Sequence, residues 1–272
     1  MTKRFLSIMA LAMMAACGSP PPRLPFALER AQTVDQDARR ALRMGDAKNA
    51  RILFSQSLTL HQSVDDVDGA ASALISLATV SHQMHDDEVA IRLLDQILLD
   101  RAGIYPPEWR ATAAFRKAVI LADTGRTDEA SSVLSSADTL CERDCPLRSG
   151  IDVLKARLAL LKGDAAAALE LAQSVASAQG TGKEERANAL RIVAAAEEKL
   201  IRLEEASLHY RAALELDKSL ALSGRIEEDL NGMARVSAHL GRAEEAAGYA
   251  RRAIVVHDAA RKNAPATIPA AP

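Results

Sequence analysis

The sequence predicts an all-α chain built as a solenoid of about six antiparallel helical hairpins, and three observations carry that prediction. Hydrophobic residues make up 49% of the 272 but aromatics only 3%. The apolar mass is Ala and Leu, which favours closely approaching helices over a sheet rich in Val, Tyr, Phe and Trp. A turn-and-helix-start signature recurs along the chain, with its final alanine at positions 50, 90, 130, 168, 206 and 246. Small residues stand at matching places before each turn, where two helices would have to meet.

The elements follow in order from the N-terminus. Lys3 and Arg4 precede an apolar run from Phe5 to Met14, closed by Ala15-Ala16-Cys17, which is the pattern of a secretory signal peptide over residues 1–16. As a helix those ten residues would cover about 15 Å, half of a ~30 Å hydrocarbon core, so the run is too short to span. The rival cleavage point at Ala10-Leu11-Ala12 would leave too short an apolar stretch, and a soluble secreted chain or a cytoplasmic one with an accidental apolar start are the alternative outcomes. Met14-Ala15-Ala16-Cys17 resembles the bacterial lipobox, with Met where Leu is usual. That resemblance implies a lipid on Cys17, and Gly18 after it implies sorting to the outer membrane. The mature chain would then face the periplasm on its lipid anchor.

Residues 17–26 form the expected tether, because Pro20, Pro21, Pro22 and Pro25 remove backbone donors and fix φ. In extended polyproline geometry its prolines and neighbours reach about 25 Å. Residues 27–262 are the expected helical body, and 263–272, Ala- and Pro-rich without periodicity, the expected disordered tail.

Within the body, four strong copies of the turn start at Gly45, Gly125, Gly163 and Gly241, and two weaker ones at His85 and Ile201. Gly ends one helix in a left-handed conformation, and acidic residues open the next where the dipole favours them. The small residues before each turn are Ala38, Ala78, Ala118, Ala156, Ala194 and Ala234. Four residues after each closing alanine stand Phe54, Leu94, Leu134, Ala172, Tyr210 and Ala250. Tyr105-Pro106-Pro107-Glu108 and Gly180-Thr181-Gly182-Lys183-Glu184 mark loops between hairpins, and Thr181 with Glu184 has capping-box spacing.

This pattern resembles the tetratricopeptide repeat (TPR), most closely from Glu204 to Asp217. The usual Trp and Pro are absent, and the period exceeds the family's ~34 residues by about one helical turn. The resemblance implies a right-handed superhelix whose first helices line a concave, protein-binding groove. It places there Asp35 and Arg39; Ile75, Thr79 and His82; Phe115 and Val119; Val153 and Arg157; Arg191; and Asn231 and Arg235. Four arginines against one aspartate suit an acidic or carboxylate-ended segment of a partner, or simply solvate a helix face.

Chemistry of other kinds finds little support. A net charge of −2 offers no basic footprint for nucleic acid. His82 and His85 with Asp86 and Asp87 have the residue types of a metal cluster, but they fall at a helix end and turn where polar side chains are expected anyway. Ser177 to Glu184 fails as a phosphate loop, lacking its first Gly and the Ser or Thr after Lys183. No nucleophile-base or paired-carboxylate set stands out, so neither catalysis, a cofactor nor a small-molecule substrate is expected. Cys141 and Cys145 would close a short disulfide loop in an oxidising compartment, with free buried thiols or a redox or metal role as the alternatives. Such a loop would stabilise little. The expected function is an envelope scaffold binding other envelope proteins, with an envelope enzyme or metal-binding protein using His82 and His85, or a structural oligomer, as rivals.

Overall fold

The computed structural model describes residues 25–142 and 145–263. The expected signal peptide, Cys17, most of the tether and the last nine residues of the tail lie outside them. The described residues form twelve helices: α1 (Phe26–Arg43), α2 (Ala47–Ser63), α3 (Val67–Gln83), α4 (Asp87–Leu98), α5 (Pro107–Asp123), α6 (Thr127–Leu140), α7 (Arg148–Leu161), α8 (Ala165–Ser177), α9 (Lys183–Lys199), α10 (Leu203–Leu220), α11 (Ser223–His239) and α12 (Ala243–Asn263). They pack as six consecutive hairpins, α1 with α2 through α11 with α12. The first begins at Phe26, one residue before the expected boundary.

All six hairpin turns are built alike. The residue at the turn holds a positive φ, and its N–H and that of the next residue return to carbonyls in the last turn, as Gly45 to Leu42 and Asp46 to Ala41. Gly45, Gly125, Gly163 and Gly241 take φ from +74° to +88°, where no Cβ stands in the way. The weak copies adopt the same geometry without glycine, His85 at +62° and Ile201 at +60°. The carboxylates of Asp46 and Asp164 then cap α2 and α8 through the N–H groups of Asn49 and Ala167.

The links between hairpins differ. Asp65 and Ala221 make tight turns at φ +55°. Between α4 and α5 the carboxylate of Asp100 gathers the N–H groups of Ala102, Ile104 and Tyr105, and Pro106 and Pro107 start α5. Cys141 and Cys145 are disulfide-bonded with Cα atoms 5.3 Å apart. Helix α6 stops at Leu140, so neither cysteine is helical. Thr181 does not cap α9: its hydroxyl donates to the Val175 carbonyl at the end of α8, and Gly182 is the N-cap.

The small residues do what their size allows. Ala38, Ala78, Ala118, Ala156 and Ala194, and Ala50, Ala90, Ala130, Ala168 and Ala206 after the turns, are essentially sealed. Only Ala234 and Ala246 of the sixth hairpin are half-buried; among the described residues no other hairpin packs on its outer side. Odd-numbered helices also touch across hairpins, α3 with α5, α5 with α7, α7 with α9 and α9 with α11. Even-numbered helices make no comparable contact among the described residues, so the odd ones form the inner, concave layer.

Candidate interaction groove

The inner layer carries the groove positions, but it sorts them. Arg39 and Asn231 are exposed, and Thr79, Phe115, Val119 and Val153 half-exposed. Ile75 instead belongs to the core formed by α3–α7. Asp35 also leaves the groove: it is buried against α2, accepting from Ser57 Oγ at 2.5 Å and facing His61 Nε2 at 3.1 Å. His61 Nδ1 reaches Asp66 at 2.7 Å, so one sealed imidazole ties α1, α2 and the start of α3. Gly69 makes room for it, because a Cβ there would run into the ring.

Three of the four groove arginines are committed within the chain, which corrects the expected excess of positive charge. Arg157 meets Asp123 at 2.6 Å. Arg191 meets Asp217 and, at 2.7 Å, Asp229. Arg235 meets Glu198 at 3.3 Å and the Tyr210 hydroxyl at 3.2 Å. Arg39 has no such partner among the described residues. The carboxylates were missed because spacing within one helix offers partners three or four residues away, whereas these lie on other helices, from 26 positions away for Asp217 to 38 for Asp229.

His82 joins the same lattice. Its Nδ1 lies 2.6 Å from Asp87 and its Nε2 3.1 Å from Asp123, so Asp87, His82, Asp123 and Arg157 form a chain across α4, α3, α5 and α7. Partial burial pulls the imidazole pKa down, but the hydrogen bonds and charges of Asp87 and Asp123 outweigh it and leave the pKa raised. His85 stays exposed on its turn and outside this set. Among the described residues no group of three or more His, Cys, Asp or Glu side chains converges as metal ligands would.

Between these paired charges lies an apolar strip. Phe115 packs toward Gly150, where a Cβ would stand 3.1 Å from the ring, and Arg116 lies over its face at 5.9 Å. Val119 and Val153 continue the strip, and Trp109 at its edge donates to Asp68 at 2.7 Å. This surface offers apolar contact beside hydrogen-bonding side chains.

No protein-family model matches the chain, and no curated protein matches its sequence. Solved structures do. A variant of the putative kinesin light chain of Podosopora anserina, with nearly identical TPR-like repeats, superposes with a TM-score of 0.55 at 18% identity, covering 73% of this chain and 99% of that one. The parent form gives 0.53 at 19% identity, over 70% and 96%. BtubC (BKLC) from P. vanneervenii gives 0.51 at 14% identity, over 92% and 98%. The chain therefore has a TPR-like solenoid fold.

Proposed function

We propose that this protein is an interaction scaffold of the bacterial cell envelope, anchored in the outer membrane by lipid on Cys17 and facing the periplasm. Its partners are other envelope proteins, bound along the concave face, and it catalyses nothing. The observation that carries the binding role is the inner layer itself: odd-numbered helices that touch one another from α3 to α11, with a half-exposed apolar strip at Phe115, Val119 and Val153. TPR-like folds typically serve as protein-interaction scaffolds. The anchor rests on Lys3, Arg4, the apolar run and Met14-Ala15-Ala16-Cys17; among the described residues no helix is long and apolar enough to cross a membrane.

Crosslinking in native envelopes, followed by identification of what co-purifies, tests both halves. Replacing Cys17 by Ser should move the protein from the membrane to the soluble fraction. A groove variant, Val119→Asp with Asn231→Ala, should lose a partner that a convex-face variant, Glu205→Lys with Arg211→Glu, retains. Retention by the groove variant and loss by the convex one would put recognition on the other face. Continued sedimentation of the Cys17→Ser protein with outer membranes would remove the anchor.

A further inference from the structure

Hairpins five and six share an apolar core, but at one point they are joined by buried charge. Arg191 of α9 reaches between the last turn of α10 and the second turn of α11, and its guanidinium donates to a carboxylate on each. Nε bonds Asp229 at 2.7 Å and the terminal nitrogen bonds Asp217. The two acids are sealed, at 1% side-chain exposure for Asp217 and 0% for Asp229. One oxygen of Asp217, Oδ1, has no hydrogen-bond partner.

Two ionised carboxylates against one guanidinium would bury a net negative charge in a low-dielectric site, and a pair of like charges there resists double ionisation. A further cation, Arg225, feels Asp217 but brings a carboxylate of its own and leaves the balance unchanged. On α11, Glu228 adds a third carboxylate 3.6 Å from Arg191, and Arg225 is engaged with it at 2.9 Å. On α10, Lys218 is paired with Glu215. On α9, Glu197 is held by His209, and Glu198 by Tyr210 and Arg235. On α12, His257 takes Glu227. A single proton on Asp229 makes the cluster neutral.

We propose that Arg191, Asp217 and Asp229 form a proton-operated latch: with Asp229 protonated, α11 and α12 are held on hairpin five, and loss of that proton loosens them. Burial, reinforced by the neighbouring Asp217 and opposed by Arg191, lifts Asp229 to about 7, against an ordinary carboxylate value near 4. The unfolded chain thus releases this proton near pH 4 and the folded chain near pH 7. The latch is fully engaged below about pH 4 and weakens as pH rises to about 7. Asn231 and Arg235 ride on α11, so the far end of the concave face moves with it.

Hydrogen exchange of the full chain, read on peptides of α11 and α12 and corrected for intrinsic rates, tests this locally. The local reading matters because His82, with its raised pKa on α3, also makes stability fall as pH rises. Protection of α11 and α12 should drop about tenfold or more between pH 5 and pH 8 in the wild type. In Asp229→Asn, whose amide stands in for the protonated acid, it should stay level. An equal slope in both, or no slope in the wild type, overturns the latch. A carboxyl carbon NMR titration of the wild type needs no variant to fold: one aspartate should titrate near neutrality, and all aspartates titrating below about pH 5 would overturn the proposal equally.

Discussion

Ile201 and His85 hold a left-handed backbone, φ +60° and +62°, at the turn position that four other hairpins give to glycine. For an L-residue that conformation costs roughly 1–2 kcal/mol, and Ile201, 76% exposed, recovers little of it by burial. Ile201→Gly should therefore raise stability by about 1 kcal/mol, read as a shift of the urea midpoint at unchanged slope; a lower midpoint would mean that Ile201 makes contacts the geometry does not show. The groove arginines separate in the same way. Arg191→Ala leaves two sealed carboxylates without their cation and should cost about 3–5 kcal/mol, while the exposed Arg39→Ala should stay within about 0.5. Equal midpoints for the two variants in denaturant would show that the buried cluster carries no weight. The helix position of each arginine was legible in the residue pattern, because it depends only on spacing within one helix. Its charge state as a recognition element was not, because Asp123, Asp217, Asp229 and Glu198 arrive from other helices once the hairpins stack.

At the scale of the element, the hairpin is the most local unit here, and it was read almost whole. Turn, closing alanine and the large residue four later sit within ten positions of one another, so their chemistry fixes one geometry regardless of what packs on it. The links between hairpins escaped because distant partners settle them: Thr181 has capping-box spacing, yet the carbonyl of Val175 claims its hydroxyl. The tight packing gives a direct test on α10. Ala206 is wholly buried where α9 meets α10, and the adjacent Glu205 is exposed. Ala206→Leu should cost about 1–3 kcal/mol by overpacking, and Glu205→Gln less than about 0.5. Thermal unfolding of both variants checks this, and matching melting temperatures would put the wrong face of α10 inward.

Across the whole molecule, stability should be graded, because each hairpin leans only on its neighbours and the stack ends somewhere. The largest continuous core runs from Ala71 to Leu158 through α3–α7. Among the described residues the sixth hairpin is covered on one side only: Leu214 of α10 is 2% exposed beneath α11, whereas Ile254, forty residues later on α12, is 61% exposed. Exposed ion pairs at the turn edge, Arg51 with Asp86, Arg126 with Glu88, Lys162 with Asp128 and Arg242 with Glu204, tie successive hairpins but contribute only about 0–1 kcal/mol each. They cannot equalise ends that differ in apolar burial, where ~25 cal/mol per Å² applies. Native-state hydrogen exchange at a single pH should therefore find the slowest amides in α3–α7 and a fall in protection toward α12, with the disulfide-bearing link between α6 and α7 inside the slow block. Raising the salt concentration should leave that order unchanged, since the gradient comes from apolar contact and not from the edge pairs. One common protection factor from α1 to α12 would mean that the six hairpins open as a single cooperative unit, and the nearest-neighbour reading of the stack would have to be abandoned.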